Sequence, residues 1–81
     1  MENKKLQGKD IEYDYDITKK AIVFYVDEEY IDKEVDVYVN DEFLIAAKVG
    51  KKGNIKVNKQ SQVGKYLVNA LNSKQKVVLL V

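Results

Sequence analysis

The 81-residue chain has no cysteine, histidine, proline or tryptophan, and its fourteen basic residues are all lysine, so arginine is missing too. Each absence removes something. Without cysteine, neither disulfides nor thiolate ligands can reinforce a small core, and without histidine the usual zinc sites fall away. The missing arginine removes the commonest base-specific contact to DNA, the bidentate guanidinium on guanine, although lysine can substitute. Catalysis loses most of its tuned acids, bases and nucleophiles. Thr18, Ser61 and Ser73 carry the only aliphatic hydroxyls, and no partner base stands near them in sequence. The chain therefore reads as a non-enzymatic protein without a cofactor or metal.

Long apolar runs are missing as well. The longest, Ala21 to Val26, falls far short of the roughly 20 residues of a membrane helix. MENKKLQGK lacks the apolar segment of a secretory signal. A cytoplasmic protein without a membrane partner is expected. At this length one domain is available, burying about 60 to 65% of the surface its unfolded chain exposes. The polar residues 1–9 read as a flexible tail before a single β-rich domain over 10–81.

The net charge of +1 conceals an asymmetry. Residues 1–42 carry all thirteen acids and six lysines, whereas residues 43–81 carry eight lysines and no acid. Such a division points to an interaction role. It is equally what strands of two interleaved halves would show if their charges met across a sheet.

The pattern of apolar residues gives the element order. IEYDYD alternates, with Ile11, Tyr13 and Tyr15 on one face, and a turn follows at Asp16 to Lys19. AIVFYV is apolar on both faces, as an interior strand is. DEEYIDKE forms a polar connection anchored by Tyr30 and Ile31. EVDVYVN alternates with Val35, Val37 and Val39 inward and Glu34, Asp36 and Tyr38 outward. Asn40-Asp41 then supplies a hairpin turn, because both residue types tolerate positive φ. EFLIAAKV reads as a second strand apolar on both faces, and GKKG as a further hairpin into NIKVN. Val63, Tyr66, Leu67, Ala70 and Leu71 then form the stripe of an amphipathic helix with Ser61 as N-cap. Gly64 weakens that helix by about 0.5 to 1 kcal/mol relative to alanine. Asn72-Ser73 ends it, and KVVLLV is a central closing strand. The expected fold is α+β and β-dominated: about six mostly antiparallel strands in a small sheet or barrel, with one short helix before the last strand.

Candidate chemistry centres on Val49 to Lys65, VGKKGNIKVNKQSQVGK, which has five lysines, three glycines and no acid. It is not a phosphate loop of the GxxxxGK[ST] type, since Tyr66 follows Gly64-Lys65 and Lys59 stands in place of the first glycine; nor is it GxGxxG. Its glycines serve turns. What remains is electrostatic: Lys48, Lys51, Lys52, Lys56, Lys59 and Lys65 as a nucleic-acid-binding surface acting by counterion release. The competing reading is a protein-interaction module. There Glu12, Asp14, Asp16, Glu34 and Asp36 form an acidic face for a basic partner, as in a DNA-mimicking inhibitor from a mobile element. Self-assembly of the acidic half of one copy on the basic half of the next is a third. The acids of DYDITK lack the glycine and third acid of a calcium loop.

Two segments also resemble each other. VDEEYIDKEVDVYV and VNKQSQVGK, continued into KVVLLV, both run strand, polar connector, strand, with a helix inserted in the second. Over Val49 to Val81 the chain resembles the swapped-hairpin AbrB-like DNA-binding domains and small β-proteins of archaeal mobile elements. GNIKV corresponds to their strand after a glycine turn, VGKYLVNAL to the short helix and KVVLLV to the closing strand. The resemblance implies a homodimer of interleaved hairpins with a role as a transcription regulator or antitoxin.

Overall fold

In the computed structural model, residues 8–81 are described. Seven strands run in the order β1 (Asp10–Ile11), β2 (Asp14–Ile17), β3 (Ala21–Tyr25), β4 (Glu34–Val39), β5 (Glu42–Lys48), β6 (Asn54–Asn58) and β7 (Val77–Leu80). A 3₁₀ turn, Glu28–Tyr30, joins β3 to β4, and helix α1, Gln62–Asn72, joins β6 to β7. The strands form two antiparallel sheets, a four-stranded one ordered β1-β7-β4-β5 and a three-stranded one ordered β2-β3-β6. The fold is thus β-dominated with one helix before the last strand.

Both sheets turn their apolar faces to one core. Val35, Val37, Val39, Ile11 and Leu79 come from the larger sheet, and Ile22, Phe24, Ile55 and Val57 from the smaller. Leu67, Ala70 and Leu71 of α1 add the helical stripe, with Val63 packed against it and Tyr30 and Val49 from the connections; Tyr66, expected in that stripe, lies at its margin and is exposed. Burial of this kind is the main favourable term in folding. It accounts for the period-two spacing in the strands and the three-four spacing in the helix.

The helix ends are built as the sequence suggests. Ser61 Oγ accepts from the Gly64 amide at 2.9 Å. At the other end Gln75 N donates to Ala70 O and Lys74 N to Leu71 O, with Lys74 at φ 58; this is a Schellman closure with lysine in glycine's usual place. The β4–β5 turn also forms as expected, with Asn40 and Asp41 at φ 52 and 69.

Several expectations need correction. The segment IEYDYD is not one strand: Ile11 pairs with Leu79 in the larger sheet, while Asp14 to Ile17 pair with β3 in the smaller. Tyr15 still faces the core side, opposite Phe24 with its ring tilted against that ring at 6.5 Å, but on the edge strand β2 it stays partly exposed. The following turn spans Thr18 to Ala21, since Asp16 and Ile17 still belong to β2. Tyr38, expected outward in solvent, is fully buried, its ring meeting Phe43 edge-on at 5.7 Å. The cross-strand aromatic pair explains this. β5 is an edge strand without a fully buried residue, not a two-face-buried one. GKKG closes a tight turn, Gly53 N to Gly50 O at 2.9 Å, with Gly53 at φ 76. The strands it joins do not pair, however, because β5 belongs to one sheet and β6 to the other. The expected tail lies outside the described residues except for Gly8 and Lys9, and Lys9 exchanges both backbone hydrogen bonds with Val81.

The weak internal similarity has a geometric counterpart. β3 pairs antiparallel with β6 and β4 with β7, Val23 standing opposite Lys56 and Val37 opposite Leu79. Reciprocal antiparallel pairing is what an approximate two-fold axis between two strand-connector-strand units produces. The segments that resemble swapped hairpins, β6, α1 and β7, thus find partner strands within the same chain.

Candidate nucleic-acid interface

The smaller sheet places charge by register. Ile22, Phe24, Ile55 and Val57 face the core, so strand alternation puts Asp14 and Asp16 of β2, Ala21, Val23 and Tyr25 of β3, and Asn54, Lys56 and Asn58 of β6 on the outer face. Rows across it read Asp14, Tyr25, Asn54 and Asp16, Val23, Lys56. One edge strand is acidic and the other basic.

A depression of about 470 Å³ lies at the Ala21 end of this sheet, lined by Lys19, Lys20, Ala21, Lys56, Asn58 and Gln60. Thr18 fixes the turn that carries the first two lysines. Its amide and its hydroxyl both donate to Ala21 O at 2.8 Å, while its Oγ1 accepts from the amides of Lys20 at 3.3 Å and Ala21 at 3.0 Å. The Lys59 amide donates to Lys20 O at 2.9 Å and its Nζ to Thr18 O at 3.1 Å, tying the end of β6 to the same turn. Asn58 Oδ1 accepts from the Gln60 amide at 2.8 Å. Among the described residues Lys19, Lys20 and Lys56 form no ion pair; the described ion pair is Lys76 with Asp41, at 2.9 Å. Three ammonium groups on a braced frame thus share one concave surface.

A second depression, of about 280 Å³, lies at the opposite end of the sheet and is lined by Glu12, Tyr13, Asp14, Tyr25, Val26 and Asp27. Tyr13 bridges the sheets there. Its hydroxyl donates to Val77 O at 2.7 Å, and its ring stands edge-on to Phe24 at 5.4 Å. Burial, followed by the nearby Tyr15 and Asp10, pushes its phenol above the usual tyrosine value.

The lysines named from sequence do not form one patch. Lys56 and Lys59 belong to the basic depression and its rim, and Lys65 lies in the first turn of α1, just beyond that end of β6. Lys51 and Lys52 sit in the turn preceding β6, at the other end of a strand roughly 16 Å long. Lys48 lies on β5 opposite Glu34 in the larger sheet. The acidic residues divide likewise: Glu12, Asp14 and Asp16 accompany the smaller sheet, and Glu34 and Asp36 the larger. Lys19 and Lys20 were missed because they belong to the acidic half of the sequence. Only the pairing of β3 with β6 brings them to Lys56, and no local signal encodes that pairing.

No family model, curated protein or solved structure matches the chain. The functional reading therefore rests on this surface alone.

Proposed function

We propose that the protein is a small nucleic-acid-binding module that holds the phosphate backbone at the lysine-bearing end of its smaller sheet. The observation that carries this reading is the convergence of Lys19, Lys20 and Lys56, none in an ion pair among the described residues, on one depression beside Lys59. Lysines act on phosphates as mobile point charges, giving affinity without base identity. The missing arginines fit such a role. Four phosphate contacts imply a log-log salt slope near 3, so affinity falls roughly 50-fold between 50 and 200 mM salt. Fluorescence anisotropy of a labelled oligonucleotide at low salt tests the reading. Lys19→Glu with Lys20→Glu is expected to weaken binding at least tenfold with an unchanged melting profile, and unaltered affinity would remove the site.

The acidic depression of Glu12, Asp14 and Asp27 favours a second reading, a protein-interaction module for a basic partner. On that reading no nucleic acid binds, and Asp14→Lys abolishes capture of a polylysine probe.

A further inference from the structure

We infer that the nucleic acid is single-stranded and lies across the outer face of the smaller sheet, with a base stacked on Tyr25. This rests on the proposed function and adds the ligand class. Tyr25 is 45% exposed at the end of the central strand β3. Among the described residues its ring has no aromatic neighbour and its hydroxyl no hydrogen bond, whereas Tyr13, Tyr15 and Tyr38 are all engaged with phenylalanine rings. Tyr25 lines the acidic depression and shares the outer sheet face with Lys56 one row along, toward the basic depression at the Ala21 end. An open ring on a face that carries lysines is a surface on which unpaired bases stack, and stacking is blind to sequence because every base has a π-face. A duplex conceals those faces.

The register adds direction. Lys56 lies one row along from Tyr25 on the adjacent strand, and Lys19 and Lys20 lie beyond it at the Ala21 end. From β6 to β2 is two strand spacings, about 10 Å, comparable to the span of a nucleotide from phosphate to base edge. Phosphates therefore run along the β6 side. Base edges reach Asp14 and Asp16 on β2, which form no ion pair among the described residues. Carboxylates only accept hydrogen bonds when ionised. They accept from the exocyclic amino groups of cytosine and adenine, and they oppose the carbonyl edge of thymine. The carboxylates around Tyr25, Glu12, Asp14 and Asp27, repel phosphate from its ring and leave it to a base.

The experiment compares a short oligo-dC, an oligo-dT and a mixed-sequence duplex by fluorescence anisotropy at low salt, with wild type, Tyr25→Phe and Tyr25→Ala. Circular dichroism melting of each variant verifies folding. Oligo-dC is expected to bind about tenfold more tightly than duplex. Tyr25→Ala is expected to lose about tenfold on oligo-dC and under about twofold on duplex, while Tyr25→Phe retains wild-type affinity. Asp14→Asn with Asp16→Asn should erase a several-fold preference for oligo-dC over oligo-dT. Duplex bound as tightly as oligo-dC, or a Tyr25→Ala variant with unchanged affinity, would overturn the single-strand inference and leave the phosphate site standing. Equal binding of oligo-dC and oligo-dT by the wild type would overturn the strand orientation. No binding of any of the three would overturn both the inference and the function beneath it.

Discussion

Single residues here show why local propensity misjudges a fold. In the first turn of α1, Gly64 is a poor helix former, and alanine should gain about 1 kcal/mol there on propensity alone. Packing decides otherwise. A Cβ at Gly64 would strike the Asn58 carbonyl oxygen and lie 2.8 Å from Asn58 C and 2.9 Å from Lys59 Cα, all backbone atoms that cannot rotate away. Gly64→Ala is accordingly expected to destabilise by about 1 to 3 kcal/mol through overpacking, seen as a lower Tm; a raised Tm would contradict the packing account. Tyr13 supplies a test in pH. Its phenol is raised above the ordinary value of 10, so the neutral form is favoured in the folded state. That contribution is full below pH 10 and is lost as pH rises through the folded value. Tyr13→Phe should cost about 1 kcal/mol at neutral pH by removing the bond to Val77 O, and should flatten the loss of stability above pH 10 measured by urea unfolding.

At the scale of elements, the β2–β3 turn is the part the account leans on. Thr18 holds it through both its amide and its hydroxyl. Thr18→Val keeps the shape and loses the hydroxyl bonds, and is expected to cost about 1 kcal/mol in melting while weakening oligonucleotide binding several-fold by loosening Lys19 and Lys20. Elements of this kind were largely legible. The Asn40-Asp41 turn, the Ser61 cap, the helix stripe apart from the exposed Tyr66, and the central positions of β3 and β7 all follow from residue type and period. What escaped was non-local. The break of IEYDYD between two sheets depends on which strands its two ends meet, and alternation alone cannot say that the neighbours change at Glu12-Tyr13. The same holds for GKKG, whose residues specify a tight turn but not whether the strands it joins pair. The site suffered most, because Lys19 and Lys20 reach Lys56 only through the antiparallel pairing of β3 with β6.

For the whole molecule, the division of charge between the halves of the sequence does not become two hemispheres. Each sheet takes strands from both halves, β1 and β4 standing beside β7 and β5 in one, and β2 and β3 beside β6 in the other. Glu34 comes to stand opposite Lys48, and Lys76 reaches Asp41. Within the smaller sheet, however, the basic depression lies at one end and the acidic one at the other. That local polarity, rather than the sum over either half, is what a polyanion would meet. The most direct test is a titration of the isotope-labelled protein with a short oligo-dC, following backbone amide chemical shifts. The largest changes are expected on Thr18 to Ala21, on Tyr25 and on Lys56 to Gln60, with Lys48, Lys51 and Lys52 nearly unmoved. Changes concentrated at Lys48 to Lys52, or on the larger sheet, would contradict the proposed site.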